Sequence, residues 1–289
     1  MTASPPESRR SFLKRGLMGM MSLGAVGGGG AYSYGRLIER KQPVVERLRI
    51  GLKGLGPAFE GFRIVHISDL HVEPHVNQPL LARTVSMIND LKPDLVVITG
   101  DIITSNEGLA AKLTEPLADL KARVGVMASL GNHDVWNRAG VVTQALKNQG
   151  IKVHRNTGQA LIQQGDRLWI AGLDSVWAGS PRIAESLKGN AKDVPCVMLG
   201  HEPDYADTLS RTAGSFLHLA GHTHGGQICW PGGFPIKLPR YGVKYARGYY
   251  EVGNVQLYVN RGIGTVMAKA RFACSPEITE FTLAGDALV

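Results

Sequence analysis

Cysteine is scarce in this chain: Cys196, Cys229 and Cys274 are the only ones among 289 residues. Three are too few for the disulfide framework that staples a small secreted scaffold. Cys196 sits in an apolar run and reads as a small buried hydrophobe. Cys229 and Cys274 could join in an oxidising compartment if the fold brings them within bonding distance. Internal repeats are missing too, which excludes a repeat architecture. The one low-complexity run is glycine, and it interrupts the weakly apolar stretch from Gly16 to Tyr34: five of residues 27–35 are Gly. That stretch approaches the length of about 20 residues needed to span a bilayer, but its glycines make it a poor spanning helix. A clean Ala-x-Ala cleavage site is also lacking, with Gly29-Gly30-Ala31 a poor substitute. Charge of one sign is less abundant than the net +8 suggests, because residues 1–50 hold nine Lys or Arg against three Glu, or +6, leaving +2 for the rest. The basicity therefore gives no reason to expect a specific nucleic-acid partner.

What the N-terminal segment does have is Ser8-Arg9-Arg10-Ser11-Phe12-Leu13-Lys14, a close match to the twin-arginine export motif. Residues 1–35 thus read as an export signal, either cleaved or retained as a membrane anchor. Delivery by the twin-arginine translocation machinery to the periplasm or cell envelope is the expected localisation. Residues 36–56 read as a basic linker that could contain a first strand. Residues 57–289 are numerous enough for one sizeable core, and the hydrophobic fraction of 44% is that of an ordinary globular chain.

Five short runs rich in Val, Ile and Leu end in clusters of Asp, Asn or His. Arg63 to Ser68 leads into Asp69 and His71; Asp94 to Thr99 into Gly100-Asp101; Val124 to Leu130 into Gly131-Asn132-His133-Asp134; Val194 to Leu199 into Gly200-His201-Glu202; Ser215 to Ala220 into Gly221-His222-Thr223-His224. Apolar runs that do not alternate with polar residues read as strands buried on both faces. Open α/β sheets collect ligands at the carboxyl ends of such strands, where all five clusters fall. Singly, each cluster has a plain explanation as a turn or helix cap. Together they offer neutral imidazoles and carboxylates, the donors that divalent ions take.

In this order the clusters resemble the calcineurin-like metallophosphoesterases, a family of two-metal phosphoester hydrolases. Asp174, Trp177-Ala178-Gly179, Asn260-Arg261-Gly262-Ile263-Gly264, Arg271 and Ser275-Pro276-Glu277-Ile278 are similar to its exported YkuE/YaeI-like branch. The resemblance implies that Asp69, His71, Asp101 and His224 hold one ion. Asp101, Asn132, His201 and His222 would hold the other, with the Asp101 carboxylate shared. Two divalent ions, Mn, Zn or Fe, would lower the pKa of a water between them and neutralise charge on the phosphoryl oxygens. His133 would protonate the leaving oxygen and Asp134 would hold its ring, an acid contribution of about 100-fold to 10,000-fold. Many relatives carry an acidic residue where this chain has Thr104. His66, His75, His154 and His218 have no metal-spaced neighbour and are expected to be structural.

Lys237, Arg240, Lys244, Arg247, Arg261, Lys269 and Arg271 stand against Glu251 alone between residues 237 and 272. Arg261 and Arg271, within the family-like motifs, are the expected contacts to an anionic substrate. The Pro- and Gly-rich segment from Cys229 to Arg240 reads as a loop beside the cleft, its aromatics suited to a lipid-linked phosphoester and so to membrane association. Helical patterns at 78–91, about 107–122 and 138–149 alternate with the first strands. The pairs 159–164 with 167–173 and 247–252 with 255–260 flank Gly165-Asp166 and Gly253-Asn254 and read as hairpins. The implied fold is α/β: a four-layer sandwich of two mixed β-sheets flanked by helices. The implied activity is that of an exported metal-dependent phosphodiesterase acting on an envelope phosphoester. A UDP-2,3-diacylglucosamine-type pyrophosphohydrolase is the alternative within the same chemistry. A non-catalytic metal-dependent binding protein is the alternative outside it, and would be marked by a lost ligand or a lost His133.

Overall fold

The structure is a computed structural model that describes residues 28–73, 78–105 and 107–285. The twin-arginine motif and His75 lie outside the described residues. Twelve strands form two six-stranded sheets. The first contains β1 (Val44–Gly51), β12 (Glu277–Ala284), β2 (Arg63–Ile67), β3 (Leu95–Thr99), β4 (Gly125–Ser129) and β5 (Lys152–Val153) in that order. The second contains β10 (Gly248–Val252), β11 (Val255–Val259), β9 (Phe216–Ala220), β8 (Cys196–Leu199), β7 (Asp166–Gly172) and β6 (Thr157–Gln163). Within them β2 to β5 run parallel, as do β7, β8, β9 and β11, while β12 against β2 and the hairpins β6–β7 and β10–β11 are antiparallel.

The non-alternating strands are explained by burial on both faces. Ile64, Leu95, Val97 and Phe281 of the first sheet pack with Leu168, Ile170, Val197 and Leu217 of the second. Val65, Ile67, Val96 and Ile98 face the other way, onto the helices Gln78–Asp90 and Ala139–Asn148. The outer face of the second sheet, with Trp169, Met198 and Leu257, is covered by short helices that supply Ile183, Ala206 and Leu209. This is the four-layer arrangement. Both expected hairpins are present.

Two expectations need correction. The segment from 36 to 56 does contain the first strand and is therefore more than a linker: β1 pairs with β12 in parallel over its whole length, from Val44 with Glu277 to Gly51 with Ala284. The folded unit therefore starts before residue 57. The helix expected at 107–122 is broken into 3-10 turns and one short α-helix, Ala110–Leu113. Pro116 has no N–H to give, and the Thr114 hydroxyl bonds back to the Ala110 carbonyl at 2.9 Å.

Candidate metal centre

Because β2, β3 and β4 run in one direction in the first sheet and β8 and β9 do so in the second, five carboxyl ends converge on one cleft. The chain must turn sharply there. Asp69, His71, Asp101, His222 and His224 all have positive φ, between 43° and 71°. Left-handed backbone at a non-glycine residue costs about 1–3 kcal/mol, so the surrounding packing holds these five ligands against their preference. Two glycines make the approach possible: a Cβ at Gly221 would lie 1.9 Å from the Ser68 hydroxyl, and one at Gly131 2.2 Å from Asp101 Oδ1.

The candidate ligands gather as two groups that share one carboxylate. Asp69, His71 and His224 form one group; Asp101, His201 and His222 form another; Asp101 also groups with His71 and His133. Asp101 Oδ2 lies 3.5 Å from His71 Nε2 and 3.2 Å from His201 Nε2, reaching both sides, while Oδ1 accepts the His133 backbone N–H at 2.9 Å. Asp69 accepts the His222 N–H on both oxygens and sits 3.3 Å from His224 Nε2. His224 Nε2 is in turn 3.1 Å from His71 Nε2.

Each of three imidazoles is oriented through the nitrogen that faces away from the centre. His201 Nδ1 donates to the Thr99 carbonyl at 2.7 Å, His222 Nε2 to the Arg240 carbonyl at 2.7 Å, and His71 Nδ1 lies 3.2 Å from the Thr104 hydroxyl. That leaves Nε2, Nδ1 and Nε2 respectively as inward lone pairs, the usual role of outer partners in a metal site. Thr104 thus supports His71 through its hydroxyl. Sequence reasoning singled out Thr104 but missed Thr99 and Arg240 as supports, because both act through backbone carbonyls.

The site fits metal by its own deficits. Asn132 Oδ1 and His201 Nε2 are buried without a hydrogen-bond partner, a cost that a bound cation removes. Burial lowers His71 to about 3 and depresses His222 and His224, favouring the neutral ligand form. Burial, reinforced by the Asp101 charge, raises Asp69 to about 6. Burial also opposes charge on His201, but the Asp101 and Asp69 carboxylates outweigh it and lift His201 well above the ordinary histidine value.

His133 lies beside this centre, its ring 4.9 Å from that of His71. Its Nδ1 is 3.2 Å from the Thr104 carbonyl, which can only accept, so Nδ1 carries the proton of that contact. Asp134 does not hold this ring, contrary to expectation. It is fully buried, and its carboxylate accepts the N–H groups of Ile102, Ile103 and Gly131 at 2.9, 3.2 and 2.9 Å. Burial, with Asp101 close by, raises it to about 7. Consecutive helical residues point about 100° apart, so Asp134 faces inward to cap the turn while His133 faces the cleft.

The two arginines expected at substrate have other partners. Arg271 is fully buried and spends its guanidinium on the backbone carbonyls of Gly264, Cys274, Arg261 and Gly262. Arg261 pairs with Glu46 and Glu277. Lys244 pairs with Asp207 and Lys269 with Glu73. His66, His154 and His218 join no metal-ligand group among the described residues; His66 Nε2 meets the Thr99 hydroxyl at 2.7 Å. Cys196, Cys229 and Cys274 are buried free thiols. Cys229 Sγ donates to the Gly225 carbonyl at 3.3 Å and Cys274 Sγ to the His224 carbonyl at 3.2 Å.

Residues 62–246 match the family model for calcineurin-like phosphoesterases, more than half of the chain. The chain is 37% identical over 280 residues to the Bacillus subtilis metallophosphoesterase YkuE, covering 96% of this chain and 97% of that protein. It is 28% identical to the Escherichia coli phosphodiesterase YaeI, over 77% of this chain and 82% of that one. A zebrafish transmembrane protein with a metallophosphoesterase domain is 31% identical over 86% of this chain, which spans only 59% of that longer protein. The chain belongs to the calcineurin-like phosphoesterases, and is a metal-dependent hydrolase of phosphoric esters.

Proposed function

We propose that this protein is an exported dinuclear phosphodiesterase that acts on an envelope phosphoester. The observation that carries the dinuclear reading is Asp101 Oδ2, within 3.5 Å of His71 on one side and His201 on the other. Asp69, His71, Asp101 and His224 would hold one cation and Asp101, Asn132, His201 and His222 the other. When bound, such a pair supplies a nucleophile near neutral pH and neutralises phosphoryl charge. The chain's own task is then at the leaving group. His133 Nε2, with Nδ1 tied to Thr104, delivers its proton to the departing oxygen and returns to the neutral imidazole. Late first-row ions suit the mixed imidazole and carboxylate donors, with Mn, Zn and Fe the candidates.

Export is supported by the Arg9-Arg10 motif. An envelope surface is supported by the loop from Cys229 to Arg240, where Trp230 and Phe234 are 63% and 70% exposed. An apolar cleft of about 390 Å³ runs between that loop and Gly28, Ala31 and Tyr32. No described helix is long and apolar enough to cross a membrane. The UDP-2,3-diacylglucosamine-type pyrophosphohydrolase is the second reading, favoured by the same apolar loop and opposed by export, since a nucleotide-linked substrate lies on the cytoplasmic side. A non-catalytic binding protein is disfavoured because every candidate ligand and His133 is retained.

The test is turnover of nucleotide, lipid and polyol phosphoesters by purified protein of measured metal content. Diester hydrolysis that is lost on chelation and restored by metal is expected; no turnover of any ester would favour the binding protein. The variant carrying Arg9→Lys and Arg10→Lys should stay in the cytoplasm. Its unchanged delivery to the envelope would remove the export argument and restore the pyrophosphohydrolase.

A further inference from the structure

Trp177 lies in the segment from Asp174 to Gly179, which the sequence sets apart and which hydrolysis as described leaves without a task. Its indole is firmly placed. Glu202, buried next to His201, accepts the backbone N–H groups of Val176 and Trp177 at 2.9 and 3.1 Å, and the Ser175 hydroxyl as well. Asp174 is gripped by Arg155 through Nε and Nη2 and caps the Ser175 and Ser180 N–H groups. The loop so fixed sets Trp177 edge-on to His222, with 5.6 Å between ring centroids. Trp136 arrives from the opposite side of the cleft. It is three residues after His133 on the helix Asn132–Trp136, its ring 5.2 Å from the His133 imidazole. The two indoles meet at 5.0 Å and 76°.

His133, Trp136, Trp177 and His222 thus form a continuous arc of rings from the proton donor to a metal ligand. Indoles that served only as packing would be covered, yet Trp136 is 52% and Trp177 37% exposed. Large aromatic surface left in water at the rim of a polar cleft is surface that a bound group covers.

We propose that Trp136 and Trp177 form a leaving-group subsite that takes a planar aromatic group esterified to the scissile phosphate. The proposal rests on the phosphodiesterase reading and narrows its substrate class. The side is set by His133: the oxygen it protonates belongs to the departing group, and Trp136 lies within one helical turn of that imidazole. A small polyol gains nothing from these rings. An aromatic group gains roughly 2- to 12-fold in affinity per indole, the range for aromatic pairs.

The test compares a methyl aryl phosphate with methyl hexafluoroisopropyl phosphate, the aryl group chosen to match the fluoroalcohol in acidity. Metal-replete wild type, Trp136→Ala, Trp177→Ala and the corresponding Phe variants are assayed, with metal content measured in each. The KM for the aryl ester should rise roughly 2- to 12-fold per indole removed, the fluoroalkyl ester should be unaffected, and Phe should restore most of the loss. An equal rise on both esters, or a fall confined to kcat on both, would make the indoles props for His133 and His222 and overturn the proposal. Binding of a non-hydrolysable aryl phosphonate, followed by tryptophan fluorescence, gives an independent answer. Weaker binding to Trp177→Ala than to wild type supports the subsite, and equal affinity refutes it. That measurement holds even if the wild type hydrolyses neither ester, an outcome that would sink the phosphodiesterase reading alone.

Discussion

Replacing Arg271 by Met should damage the fold before it touches substrate binding. The guanidinium donates to four backbone carbonyls, those of Arg261, Gly262, Gly264 and Cys274, at distances from 2.7 to 3.2 Å. The Gly262 carbonyl keeps the Glu277 N–H at 3.1 Å, but those of Arg261, Gly264 and Cys274 would be left unpaired; at about 1–3 kcal/mol for each buried polar group, three cost at least ~3 kcal/mol. Part is recovered because burial disfavours the charge on Arg271, which has no carboxylate hydrogen-bonded to it, and Met carries no charge to desolvate. A net loss of about 2–3 kcal/mol is a large share of the 5–15 kcal/mol that holds a typical domain together. It corresponds to a drop in melting midpoint on the order of 10 °C for a chain of this size. The damage should spread to the metal centre. The loop that Arg271 clamps donates Ile263 N–H to the Ser68 carbonyl at 3.0 Å and Gly264 N–H to the Asp69 carbonyl at 2.7 Å, backing the strand end that presents Asp69. The assay is thermal unfolding of the metal-replete and metal-stripped Arg271→Met protein beside steady-state kinetics. A variant with an unchanged midpoint, full metal content and a KM raised about 100-fold would refute this account and return Arg271 to the substrate.

Asp101→Ala should remove both metals and Asn132→Ala should mainly weaken one, as read by metal analysis of the folded proteins; two ions per chain in Asp101→Ala would disprove the shared carboxylate. Asp134→Ala should lower metal affinity and stability rather than act through the proton donor, because it strands the N–H groups of Ile102, Ile103 and Gly131; a normal metal content with a loss seen only on poorly acidic leaving groups would show that it serves His133 after all. His133→Ala should lose about 100-fold to 10,000-fold on esters of poorly acidic alcohols and far less on activated aryl esters, with metals intact; a loss independent of the leaving group would make it a positioning residue. His218 is held near 4 by burial, below its unfolded value of about 6.5. Between these values the unfolded chain binds the extra proton, so the contribution of His218 is full above pH 6.5 and falls by about 1.4 kcal/mol per pH unit below it. Asp69 and Asp134 titrate with the opposite sign nearby, so the effect is read as a difference: wild type minus His218→Leu in urea unfolding should shrink by roughly 2 kcal/mol from pH 7 to pH 5. A constant difference would mean that His218 is not held neutral.

The seven candidate ligands were legible because each follows an apolar run, and runs buried on both faces belong to parallel strands whose carboxyl ends share an edge. Period and composition give the five clusters; the choice of these seven residues within them is what the family resemblance implies. Local patterning failed where a remote partner decides the outcome. Residues 44–51 could be read as a first strand or as linker until β12, more than 220 residues later, offers its edge. Of the helical pattern of 107–122, only the α-helical turn Ala110–Leu113 and flanking 3-10 turns form around Pro116.

The sequence by itself determined the donor types, their order and the strands that carry them, since these follow from local hydrophobicity and the chemistry of side chains. Only the tertiary structure decided which charges are spent before a substrate arrives. Arg271 and Asp134 look like substrate and catalytic groups in the chain, yet one is consumed by four carbonyls and the other by three N–H groups. The reason is physical: a buried backbone group must be paired, and the partner nearest in space has first claim on a side chain whatever its position in the sequence suggests. The same packing left Trp136 and Trp177 uncovered, a fact about exposure that no one-dimensional pattern records.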